Sequence, residues 1–141
     1  HLGGPSHSGM YANAINEKER ENTVYNGNPI TTNQNIGLMY PSDYGYAARN
    51  ACINVKKMRE YENSKDCTEG NWLYQSDYEW LLTPINNNEE QAFYIESSGS
   101  LENHYNYQVT RIFEVRPVVY LKPTIEIYNG DGTISNPYII E

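Results

Sequence analysis

A chain of 141 residues with 38% hydrophobic side chains is of single-domain length and long enough to bury a core. Eighteen acidic against ten basic residues give a formal charge of −8, which repels a phosphate backbone and supplies no Lys/Arg cluster, so nucleic acid is disfavoured as a partner. No run of about 18 apolar residues exists to span a membrane, so direct membrane insertion is not expected.

His1-Leu2-Gly3-Gly4 lacks the charged-then-apolar pattern of a signal segment, and the sequence reads as one domain, residues 1–141, cut from a longer chain. Gly3, Gly4, Pro5 and Gly9 make the leading stretch a loop. Met10 to Arg20 is weakly helical, interrupted by Asn13 and Asn16, and Thr23-Val24-Tyr25 before Asn26-Gly27-Asn28-Pro29 reads as a short strand entering a turn. Ile36-Gly37-Leu38-Met39-Tyr40 is continuously apolar, as a strand buried on both faces would be, and Pro41 ends it. Ser42 is placed to cap a short helical turn through Tyr46, and Asn50 to Glu60 carries imperfect helical spacing.

Cys52 and Cys67 are 15 residues apart with no further Cys or His at metal-ligand spacing. A disulfide is the favoured reading, contributing about 3 kcal/mol by loop closure and implying an oxidising compartment; two separate buried thiols are the alternative.

Asn71-Trp72-Leu73-Tyr74 and Tyr78 to Pro84 read as two short aromatic strands, with Trp72 in the core. Asn86-Asn87-Asn88 reads as an exposed loop tip. Gln91 to Ile95, the turn Ser97-Ser98-Gly99-Ser100 and Leu101 to Val109 form a predicted hairpin whose second arm is polar and aromatic. Phe113 to Leu121 is the densest run of strand formers and reads as the central strand. Arg116 inside it is expected to be a buried clamp donating to carbonyls or a carboxylate, because a buried guanidinium must be hydrogen-bonded. Thr124 to Tyr128 and Pro137 to Ile140 bracket Asn129-Gly130-Asp131-Gly132, the turn of a C-terminal β-hairpin. The fold class expected is α+β: a compact mixed sheet with short helices and long loops.

No catalytic residue is assigned. The histidines, His1, His7 and His104, assemble no triad, and His104 on its polar arm reads as a contact residue rather than a base. Glu96 and Glu102 across the hairpin could pair as glycosidase carboxylates, but a solvated acidic surface accounts for them. The Asn129–Gly132 turn lacks the ligand spacing of a calcium loop, so no metal and no cofactor is expected. Tyrosine and tryptophan give large contact area at little entropic cost, and asparagine adapts its hydrogen bonds. Tyr78, Trp80, Asn103, His104, Tyr105, Asn106 and Tyr107 are therefore the candidate ligand-binding residues, weighed against the plainer reading of half-buried sheet packing.

Several linked motifs resemble a domain near the C-terminus of surface and pilin-like proteins of gut Firmicutes: Ile36-Gly37-Leu38-Met39-Tyr40-Pro41-Ser42-Asp43-Tyr44-Gly45-Tyr46-Ala47, Cys52, Cys67, Asn71-Trp72-Leu73-Tyr74, Leu82-Thr83-Pro84, Val115 to Lys122, Gly130-Asp131-Gly132 and Asn136-Pro137-Tyr138. That domain is similar, more distantly, to C-type-lectin-like and formylglycine-generating-enzyme-like folds, including the variable proteins of diversity-generating retroelements. The lectin-type calcium tripeptides and a late reactive cysteine pair are both missing from this sequence, so neither sugar-binding through calcium nor the oxidising activity comes with the resemblance. It implies a non-enzymatic, extracellular, cell-surface-attached domain for adhesion, ligand binding or display, with a protein or glycan partner on a host or neighbouring cell. A structural subunit of a pilus-like assembly is the alternative, and an enzyme is third.

Overall fold

The computed structural model describes residues 10–20, 34–85, 88–104, 107–132 and 135–141, with Asn88 and Glu89 described by their backbone alone. The protein is α+β, with a few short helices and several small sheets. Helix α1 (Ala12–Arg20) buries Ala12, Ile15 and Glu19 on one face. Its second backbone donor, the Asn13 N–H, is satisfied by the Asn54 side chain at 2.8 Å, and Lys18 and Arg20 in the last turn complement the helix dipole. Helix α2 (Pro41–Tyr46) begins on Pro41, whose missing N–H costs nothing at a first helical position. The Asp43 carboxylate accepts the Tyr40 N–H at 2.9 Å. At Gly45 an added Cβ would lie 2.7 Å from the Ala12 Cβ, so only glycine lets α1 and α2 approach this closely.

The main sheet has strand order β4-β3-β2-β5, built from β2 (Glu79–Ile85), β3 (Asn88–Ile95), β4 (Leu101–Glu102) and β5 (Glu114–Val115). The first three strands are antiparallel, and β5 joins the free edge of β2 in parallel, Trp80 opposite Val115. Leu81, Phe93, Ile95 and Leu101 face the hydrophobic core, where they join Met10, Ile15, Met39, Tyr44, Met58 and Tyr61. A 3-10 helix (Met58–Asn63) and helix α3 (Lys65–Thr68) cover the same core. The disulfide Cys52–Cys67, with Cα atoms 5.6 Å apart, lies in it and ties the turn before the 3-10 helix to α3.

Two small ribbons complete the chain. β1 (Gly37–Leu38) pairs with β6 (Pro117–Val118), and β7 (Ile127–Asn129) pairs with β8 (Ile139–Ile140), closing the expected C-terminal hairpin. Gly130 and Gly132 supply its positive φ angles of 95° and 81°. Gly99, at φ 89°, does the same for the β3–β4 turn.

Several sequence readings are corrected. Phe113 to Leu121 is not the central strand: β2 and β3 are, and this run breaks into two dipeptides in different sheets. The break falls at Arg116-Pro117, where proline has no N–H to continue a ladder. Residues 71–74 form a turn, residues 50–56 form turns and a bend where a helix was expected, and among the described residues of the second hairpin arm only Leu101–Glu102 is strand. Ile36–Tyr40 is reduced to a two-residue strand with Ile36 exposed, and Ser42 lies inside α2 rather than at its cap, which is Tyr40. The strand expected at 23–25, the leading loop at 2–9 and positions 86 and 87 of the loop tip lie outside the described residues.

Candidate functional site

Trp80 and Tyr94 stand opposite each other on β2 and β3, on the sheet face away from the core. Tyr78, Tyr107 and Phe113 close over them. Ring centroids lie 4.6 Å apart for Trp80–Phe113, 4.9 Å for Tyr78–Phe113 and 5.2 Å for Tyr94–Tyr107. The Trp80 indole N–H donates to the Arg111 carbonyl at 3.1 Å, and the Arg111 guanidinium sits 4.9 Å from the Tyr107 ring centroid. This is a second, smaller core.

The correction this imposes on the expected contact surface is specific. Trp80 is 7% exposed, so it is packing and not an open contact. Tyr78 and Tyr107 are half-buried in the same cluster. Asn103 is half-buried and His104 exposed at its rim, while Tyr105 and Asn106 lie outside the described residues. Composition marked Tyr78 and Trp80 as contact residues, but it cannot report that the segment carrying Tyr107 and Phe113 folds back across that face.

Glu96 and Glu102 follow Tyr94 on this side of the β3–β4 hairpin. Glu102 is tied to the Arg59 guanidinium at 3.1 Å and accepts from the Ser100 hydroxyl at 3.0 Å. Burial, and then the Glu102 charge, raise the Glu96 pKa above the ordinary carboxylate value. Among the described residues no three His, Cys, Asp or Glu side chains gather in a way that could hold a metal ion.

Trp72, expected in the core, is 78% exposed. Its neighbours take the inward positions. Asn71 is buried, donating its side-chain N–H to the Tyr44 carbonyl at 2.9 Å and accepting the Leu73 N–H at 3.0 Å, so a polar side chain nucleates the turn and turns the indole outward. Leu73 is buried, and its carbonyl accepts from Arg116 Nη2 at 2.9 Å. The Tyr74 hydroxyl donates to the Ser97 carbonyl at 2.7 Å. An exposed tryptophan is thus held on a turn whose flanks are fixed.

Beside it opens a cleft of about 380 Å³. Met39, Ala47, Leu73 and Val118 supply its apolar surface, Trp72 and Tyr46 its aromatic walls, and Asp43 and Arg116 its charges. Arg116, expected to be buried, is half-buried: its Nη2 reaches both the Leu73 carbonyl and Glu79 Oε2, the latter at 3.0 Å, with side-chain exposures of 22% for Arg116 and 6% for Glu79. Burial raises the Glu79 pKa and the Arg116 charge pulls it back. The cleft draws on α2, the 71–74 turn and the β1–β6 ribbon, three segments the sequence does not place together. The available signal for it was Asn71, a turn former immediately before the tryptophan.

Comparison with protein-family models, curated proteins and solved structures gives no match to this chain.

Proposed function

We propose that this chain is a non-enzymatic ligand-binding or adhesion domain of a bacterial surface protein, displayed outside the cell, and that it meets its partner at the Trp72 cleft. The observation that carries this reading is the 78% exposed indole, on a turn whose flanks are hydrogen-bonded to the body of the protein, beside an apolar cleft. Aromatic anchors dominate binding energy once a partner buries them, and a turn held in place beforehand reduces the ordering cost of contact. The Cys52–Cys67 disulfide supports an oxidising location. The sequence resemblance supports the surface-protein context and a C-type-lectin-like scaffold, with which an α+β fold of short helices and a late hairpin is compatible.

The test is adhesion of the purified domain to a panel of immobilised extracellular-matrix proteins, mucins and glycans. Trp72→Ala should abolish whatever binding the wild type shows while leaving its melting temperature unchanged. Binding that survives this substitution would place the contact surface elsewhere.

A pilus-like structural role has its own observation in its favour. Tyr120, Leu121, Ile127, Tyr128, Ile139 and Ile140 are all 45% or more exposed, and a two-stranded ribbon of such residues is only marginally stable until something covers it. Concentration-dependent association in sedimentation experiments, lost when Ile127 and Ile139 are replaced by Thr, would favour that reading.

A further inference from the structure

We infer that the Trp72 cleft takes a cationic side chain, arginine or lysine, presented by a basic peptide segment of a partner protein. This rests on the reading of the cleft as the binding site and adds the chemistry of the ligand.

The two charged residues of the cleft are not equivalent. Arg116 is engaged: its Nη2 is held by the Leu73 carbonyl and by Glu79, whose carboxylate offsets its charge at 3.0 Å. Asp43 is exposed and accepts a neutral backbone N–H, that of Tyr40. Among the described residues it has no ion-pair partner within salt-bridge distance. Arg20, the cation at the end of α1, lies over the Tyr40 ring at 5.0 Å. The uncompensated charge at the cleft is therefore negative.

That charge shares the cleft with two exposed aromatic rings, Trp72 at 78% and Tyr46 at 44%. An indole face attracts a cation more strongly than any other side-chain ring, and guanidinium also stacks on it. The aliphatic stem of arginine or lysine suits the apolar surface of Met39, Leu73 and Val118, because such stems cover apolar area while the head remains at a polar edge. The whole chain, at −8, attracts a basic partner over long range and repels an acidic one.

The experiment is an NMR titration of the intact domain, following the Trp72 indole N–H. Four probes are compared at low and high salt: acetyl-Gly-Arg-Ala-Gly-amide, its Lys and Glu counterparts, and methyl α-glucopyranoside. The Arg and Lys peptides should bind saturably, and more weakly at high salt. Asp43→Asn keeps an oxygen for the Tyr40 N–H and removes the charge; it should weaken them roughly fivefold, the size of a partly exposed ion pair. The Glu peptide and the sugar should bind at least about tenfold more weakly than the Arg peptide. Asp43→Asn binding as wild type with an unchanged melt, or the sugar or Glu peptide binding best, would overturn the cationic ligand and leave the cleft as a site. No shift of the Trp72 signal with any probe would overturn both.

Discussion

Arg116 and Glu19 show how single ionisable side chains at the edge of the core and within it set the behaviour of this protein. Arg116 compensates Glu79, whose side chain is 6% exposed. Arg116→Ala leaves that carboxylate buried and unpaired and should cost about 3 kcal/mol, several times a surface substitution. Urea titration measures it, and a variant as stable as the parent would show that the clamp is idle. Glu19 sits 3% exposed under α2, accepting the Ser42 N–H and the Ser42 hydroxyl. Burial raises its pKa from 4.5 to about 7, against the opposing effect of the Ser42 hydrogen bonds. Between those values the folded state keeps a proton that the unfolded chain releases, so stability must fall as pH rises through that window. The fall is on the order of 3 kcal/mol. Melting temperature should accordingly drop between pH 5 and pH 8, and Glu19→Gln should flatten the profile. A wild type equally stable at both values would contradict the assignment.

The elements were legible where a local pattern decides them. β2 and β3, the Gly99 turn, the Asn-Gly and Asp-Gly hairpin at the C-terminus and the Cys52–Cys67 pair follow from strand composition, turn chemistry and spacing. The disulfide closes a separation of 15 residues, and its reduction should cost about 3 kcal/mol, read as a lower melting temperature in reductant. Freely alkylated thiols in the native, unreduced protein would remove the argument for an oxidising location. What failed depends on distant partners. Phe113 to Leu121 has the composition of a central strand, yet its two halves find hydrogen bonds on different edges, Glu114–Val115 on β2 and Pro117–Val118 on β1. The tryptophans exchanged roles for the same reason. Trp80 is covered by Phe113 and bonded to the Arg111 carbonyl from a loop about 30 residues further on, and Trp72 is turned out by Asn71 reaching the Tyr44 carbonyl. Trp80→Ala should therefore cost roughly 3 to 5 kcal/mol, as removal of a buried aromatic does.

Over the whole molecule, apolar surface is distributed unevenly. The core and the aromatic cluster close the two faces of the main sheet, while the Trp72 cleft and the 119–141 segment leave large hydrophobic groups in solvent. Exposed apolar patches of this kind fit the proposed contact surface. The central claim is that Trp72 serves contact and Trp80 serves the fold, and the most direct measurement is a pair of thermal melts, Trp72→Ala beside Trp80→Ala. The account predicts that Trp72→Ala melts within about 0.5 kcal/mol of the wild type and Trp80→Ala far below it. Destabilisation by Trp72→Ala equal to or greater than that by Trp80→Ala would show that the indole at 72 is structural and would contradict the assignment of the cleft.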